Sequence, residues 1–353
     1  MKMTGGVVRR TTTRAGMPAA LAVVLVLVGC APATAPSGGG GEAVSDGATP
    51  AAAELRGPAI DLDCDALLAA VDPAQTYGGD FRPTTVSGAG VGDYLGLASA
   101  ATVHAGGLAC AWESSADLVQ LVVLPEATAT WGALAPELAT FQPHEGRFGT
   151  SFHACMAGCR ADVLVGDRWL SATLSGSAGE EAAWSLVDRA VSAIAAAGPG
   201  DEPSVAAGAT PDCAALVPDG VRVSAFGVPL AADARFAPTQ PVLLHGAVLQ
   251  QGGVHCFWMG DAGGDASVHV GLLPGGAAAW DAHWAVAPHP SSKVVWSDAP
   301  ELGDAAKAGC YERGGCFVSV RAGDDWLSVD VRFAAGDHLA AATAIAEGVL
   351  AAL

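Results

Sequence analysis

Lysine occurs three times in 353 residues, as Lys2, Lys293 and Lys307, and 17 basic residues face 36 acidic ones. A formal net charge of -19 with no basic run beyond the N-terminus excludes nucleic acid as a partner, because phosphate binding needs clustered Lys and Arg. Charged residues are also few, at 15%, against 51% hydrophobic, so the bulk of the chain buries enough apolar surface to fold. No apolar run reaches the roughly twenty residues that a bilayer core demands. Redox Cys-x-x-Cys pairs, nucleophile elbows, Ser-x-x-Lys, His-Glu-x-x-His, phosphate loops and dinucleotide glycine fingerprints are all missing. Acidic residues are scattered rather than set at calcium-loop spacing. The cysteines lack the second paired spacing and the paired histidines of structural zinc. The sequence therefore reads as a non-enzyme that calls for no cofactor and no metal.

What is present begins with an address. Residues 1–29 carry Lys2, Arg9, Arg10 and Arg14, no acid, and the apolar run Leu21–Val28, the form of a secretory leader. The run closes on Leu27-Val28-Gly29-Cys30 and here the chain resembles bacterial lipoproteins, in which small residues precede an invariant Cys. The resemblance implies cleavage before Cys30, a diacylglyceryl thioether with palmitate-type acyl chains on its sulfur, and a protein held on the extracytoplasmic face of the cell membrane. Residues 30–58, rich in Ala, Pro, Gly and Ser, then form a flexible tether. With the leader gone the chain is still more acidic, so anionic headgroups repel it and only the anchor holds it to the membrane.

The remainder is one module written twice. Asp63-Cys64-x-x-Leu67 recurs as Asp212-Cys213-x-x-Leu216, and Gly106-Gly-x-x-Cys110-x-Trp112 as Gly252-Gly-x-x-Cys256-x-Trp258. Leu124-Pro125 with Trp131 recurs as Leu273-Pro274 with Trp280, and Cys159 with Gly166-Asp167-x-Trp169 as Cys316 with Gly323-Asp324-x-Trp326. The offsets of 149, 146, 149 and 157 differ only by small loop changes. Module 1 spans residues 59–198, a Pro/Gly-rich linker 199–210, and module 2 residues 211–353. Each is a comfortable size for one core.

Within a module, helical spacing after Asp63 and Asp212 predicts short capped helices. Gly106-Gly107 and Gly252-Gly253 suit tight hairpins. Strands are expected at Leu118–Leu124 and Ser267–Leu273, then helices from about Ala129 and Ala277. A hairpin turning at Gly166–Arg168 follows, and an Ala-rich helix ends each copy. In the second copy Leu327, Val329 and Val331 alternate with Ser328, Asp330 and Arg332, the period of a half-solvated antiparallel sheet. The fold class is α+β: two tandem homologous modules, each an antiparallel sheet with helices packed on one face.

Nine cysteines divide as Cys30 plus four and four. An exported chain with an even remainder in matching positions points to disulfides. Three connectivities are possible per module. The preferred set is Cys64–Cys110 with Cys155–Cys159, and Cys213–Cys256 with Cys310–Cys316. The last pair changes spacing from four to six while the following strand keeps its register, as a pair bridging its own turn tolerates.

Features shared by both copies serve the common core, so function is sought in what differs. Trp184, Trp284 and Trp296 are unmatched, and the richest unmatched cluster is Asp281, His283 and Trp284 with His289 shortly after. Their counterparts at 132, 134 and 135 are Gly, Leu and Ala. Asp281, His283 and His289 are candidates to bind a polar ligand, with Trp284 as an apolar wall, although a solvated helix face has the same composition. His255 and His269 fall on expected strands where they face each other.

The helix start Cys64-x-x-Leu67-Leu68, the later Cys110-x-Trp112 and a C-terminal helix behind a lipobox are similar to small exported actinobacterial lipoproteins. That resemblance implies an envelope location and no chemistry. The expected role is a ligand-binding or protein-interaction module of the cell envelope, its ligand in the cleft between modules. The alternatives are an envelope hydrolase at Asp281, His283 and His289, or a structural accessory subunit of an envelope complex.

Overall fold

The computed structural model describes residues 59–86, 94–156, 158–176, 179–200, 212–227, 229–232, 242–260, 266–285, 294–299, 301–311, 314–332 and 336–353. The leader, Cys30, the tether, most of the linker and His289 lie outside them. Among the described residues no helix is long and apolar enough to cross a membrane.

The first module runs α1 (Cys64–Val71), α2 (Pro73–Tyr77), β1 (Arg82–Thr84), α3 (Tyr94–His104), β2 (Leu108–Glu113), β3 (Leu118–Leu124) and α4 (Thr128–Phe141). It continues with β4 (His144–Glu145), β5 (Thr150–Cys155), β6 (Cys159–Val165), β7 (Arg168–Ser175) and α5 (Glu180–Ala196). The second runs α6 (Cys213–Leu216), α7 (Asp219–Phe226), β8 (Leu230–Ala232), α8 (Val242–Gln250), β9 (Val254–Gly260), β10 (Ser267–Leu273) and α9 (Ala277–Ala285). It ends with β11 (Val294–Asp298), β12 (Ala305–Tyr311), β13 (Gly315–Ala322), β14 (Asp325–Arg332) and α10 (His338–Leu350).

Local chemistry sets these boundaries. Asp63, Asp212 and Asp337 each accept a backbone N–H of the first turn and so start α1, α6 and α10. The double glycines are not the hairpins that their turn chemistry suggested. Gly106 (φ 74°) and Gly252 (φ 68°) are left-handed caps that end α3 and α8. Gly106 N–H reaches the Val103 carbonyl and Gly107 N–H the Thr102 carbonyl, and Gly252 and Gly253 repeat the pattern on Leu249 and Val248. The β6–β7 turn is shorter than expected, because Val165 already pairs with Arg168.

Each module makes one seven-stranded antiparallel sheet, ordered β1-β2-β3-β7-β6-β5-β4 and β8-β9-β10-β14-β13-β12-β11, the same path in both copies. One face of the first sheet closes on α1 and α5 around Trp112, Leu121, Val163, Trp184 and Val187. One face of the second closes on α7 and α10 around Trp258, Val270, Val318 and Ile345.

The opposite faces are closed too, by exchange. Helix α3 of the first module packs on β10 and β14 of the second sheet, and α8 of the second module packs on β3 and β7 of the first. The two helices also pack on each other, building a third core from Leu97, Ala101, Trp169, Leu244, Val248 and Trp326. Tyr94 lies so close to Gly271 that a Cβ there would stand 2.7 Å from its ring. The described side chains between these elements pack into that shared core. The second sheet is not half-solvated: Ser328 and Asp330 are only 2% and 1% exposed. A period of two reports two different faces, not which of them meets water.

The four expected disulfides are present, with Cα–Cα separations of 5.5 Å for Cys64–Cys110, 4.1 Å for Cys155–Cys159, 5.6 Å for Cys213–Cys256 and 4.0 Å for Cys310–Cys316. The long bridges tie α1 to β2 and α6 to β9, and the short ones join directly opposed residues across a hairpin. Loops of 46 and 4 residues imply that removing Cys64–Cys110 costs about 4 kcal/mol and removing Cys155–Cys159 about 2 kcal/mol. Denaturant midpoints of the two double-Ala variants check this, and the reverse ranking would refute it.

Candidate functional site

Helix α9 carries the residues singled out in the sequence. The Asp281 carboxylate accepts from Arg321 Nη1 through both oxygens at 2.7 Å, and the guanidinium lies 5.7 Å from the Trp280 ring centroid. Trp284 meets Trp296 of β11 edge to face with centroids 4.9 Å apart, and Trp296 reaches Phe317 at 5.9 Å. Both Trp284 and Trp296 are half-buried. Lys307 pairs with Asp298, two residues along β11 from Trp296 on the same face of the sheet. The outcome is an aromatic ledge rimmed by two acid–base pairs.

His283 points elsewhere. Its ring packs on Trp326 and Trp284, and a Cβ on Gly96 of α3 would stand 2.6 Å from it. The equivalent position in the first module, Leu134, sits in the same way against Gly246 of α8. His283 is thus a contact across the modules, whereas Asp281 and Trp284 belong to the ledge.

Beneath the ledge, the indole N–H groups of Trp280, Trp326 and Trp284 all donate to Ser319 Oγ, at 3.0, 3.0 and 3.3 Å. Asp162 occupies this place in the first module, accepting from Trp169 Nε1 at 2.9 Å and from Gln142 Nε2. Burial raises the Asp162 pKa against the pull of those donors and of Arg160. One copy thus satisfies its buried indole with a carboxylate, while the other gathers three indoles on a hydroxyl.

The same sheet face continues into a polar row that the sequence only half disclosed. Strand pairing sets Trp296, Gly309, Phe317, Asp330, His269 and Phe257 side by side across six strands. His269 Nδ1 lies 3.4 Å from His255 Nε2, so these two histidines do face each other. His245 of α8 adds a third imidazole, 5.5 Å from His255, and Tyr94 of α3 stacks on His255 at 4.1 Å. Asp330 accepts from Arg332 Nε and Nη2, the closest contact being 2.9 Å.

Burial dominates the electrostatics. It lowers His245 to about 4, His269 to about 3 with help from Arg332, and His255 well below its ordinary value with help from its two histidine neighbours. It raises Asp330 to about 6 against the opposing pull of Arg332. Asp330 and Arg332 were taken for solvent-facing residues, and His245 and Tyr94 carried no local signal. The available clue was that four polar positions in this copy, 245, 255, 269 and 330, are Ser99, Ala109, Gln120 and Thr173 in the other.

Among the described residues no group of three or more His, Cys, Asp or Glu side chains is arranged to hold a metal ion. The ledge offers flat apolar rings and two acid–base pairs whose charges cancel. No protein-family model, curated protein or solved structure matches this chain.

Proposed function

We propose that this protein is exported, lipidated at Cys30 and held on the extracytoplasmic face of the cell membrane, where it acts as a binding module of the envelope. Its ligand lies on the ledge of the second module. One observation carries this reading: Trp284 and Trp296 are only partly buried, have no counterpart in the first module, and are accompanied by the pairs Asp281–Arg321 and Asp298–Lys307. Indoles whose edges still reach the surface are suited to recognition, since they bring large rigid area at little entropic cost. The rim is neutral in sum and the chain around it strongly acidic, which favours neutral, hydroxyl-rich ring compounds over anions. Envelope glycans have that chemistry. Four disulfides and a leader ending in Leu27-Val28-Gly29-Cys30 support the location.

The full-length native protein, kept in detergent, tests both halves of the reading. Intact mass before and after reduction should show the acyl chains on Cys30 and four bridges. Titration with neutral cell-wall oligosaccharides should quench tryptophan fluorescence, and Trp284→Ala should weaken binding at least tenfold, the cost of about 1.4 kcal/mol of lost contact. An unacylated Cys30 would end the anchor, and equal affinity of wild type and variant would end the ledge.

A further inference from the structure

The modules meet over a row of imidazoles that the fold does not require. His245, His255 and His269 come from α8, β9 and β10, and are sealed by Tyr94 of α3, stacked on His255, and by Phe257, 4.1 Å from His269. All three are buried or nearly so. Among the described residues, the Tyr94 phenol from α3, Asp330 and Arg332 from β14, and the apolar Phe317 from β13 also face the row. Asp330 is the one carboxylate among these, and it is already engaged by Arg332. The first module builds the same sheet with Ser99, Ala109 and Gln120 at the three positions.

We propose that this seam is a proton-operated clasp: acidification charges the histidine row and releases α3 and α8 from the second sheet while the outer face of each module stays folded. The geometry gives the reason. A second charge on the row would face the first with ring nitrogens only 3.4 Å apart, beside the Arg332 cation, on side chains that are almost fully buried. Imidazolium reaches solvent only if the covering helices move. Those helices are the exchanged pair, so the motion loosens the core shared by the modules but not the cores beneath α5 and α10. Opening returns the imidazoles toward their ordinary pKa near 6.5, so acid below that value draws the seam toward the open form.

Hydrogen exchange of the whole native protein from pH 7.5 to 4.5, corrected for intrinsic exchange chemistry, reads the clasp directly. Protection of Leu97–Ala101 and Gly246–Val248 should fall at least tenfold, while amides in α5 and α10 change less than threefold. The triple variant His245→Ser, His255→Ala, His269→Gln borrows the residues of the first module and should keep its protection at pH 4.5. Equal loss in α3, α8, α5 and α10 would mean global unfolding and overturn the proposal. So would the same acid response in the variant. Should the variant not fold, imidazole titration by NMR in the wild type decides: three histidines that charge between pH 6 and 7 with α3 still protected would refute the clasp. This test does not involve the ledge, so its failure leaves the glycan reading intact.

Discussion

A chain comprising residues 211–353 alone is expected not to fold as a monomer. Its sheet has one face covered by its own α7 and α10, but the other is covered only in part by its own α9 and otherwise by α3, which the first module supplies. Tyr94, Leu95, Leu97, Ala98 and Ala101 of α3 are all buried. Each large apolar side chain among them contributes roughly 1.5–3 kcal/mol, so their loss removes on the order of 10 kcal/mol, as much as the whole stability of a typical domain. At the same time α8 would lose the first sheet and present Leu243, Leu244, Ala247 and Val248 to water. The isolated module should therefore be a partly ordered species or pair with a second copy through α8. Sedimentation with circular dichroism checks this; a monomer melting as cooperatively as the full chain would show that the exchanged helix is dispensable.

Stability should fall steeply in acid. In the unfolded chain His245 and His269 take up protons near 6.5, while the native protein holds them neutral until about 4 and about 3. Their contribution is complete above pH 6.5 and is lost as the pH drops through that window. Asp330 acts with the opposite sign: raised to about 6 from 3.8, it binds its proton earlier in the native chain and returns part of the loss between pH 6 and 4. Buried Asp162, also raised, works on the same side as Asp330. At about 1.4 kcal/mol per pH unit, the two histidines and Asp330 together imply a net loss of roughly 4 kcal/mol by pH 4. Calorimetry at pH 7 and 4.5 should show the wild type losing about 3 kcal/mol more than His269→Gln over that interval. Equal losses would mean that the buried imidazole is not the cause.

The sequence disclosed whatever is encoded locally or repeated. The strands Leu118–Leu124 and Ser267–Leu273 were legible to the residue, because both are short, Val- and Leu-rich segments between turn signals. Helices α5 and α10 announced themselves by an Ala-rich pattern with one apolar face, and α1 by its Asp63 cap. Helices α3 and α8 gave no such sign: buried on several sides, they are apolar nearly all round and show no amphipathic period. Missing them turned their C-terminal glycines into hairpins and hid the exchange. The candidate site divides in the same way. Asp281 and Trp284 stood out by comparing copies, whereas Ser319, Asp330, Arg332 and His245 join the site only through strands and helices far apart in the chain.

The plan of two antiparallel sheet modules and the preferred cysteine pairs were thus legible in the linear chain, since repeats, turns and loop lengths are properties of neighbours along it. Which sheet each helix covers, and which polar stripe is sealed from water, were decided only when the halves met. A residue's own pattern states that it has two sides, and the packing of distant segments chooses what each side touches.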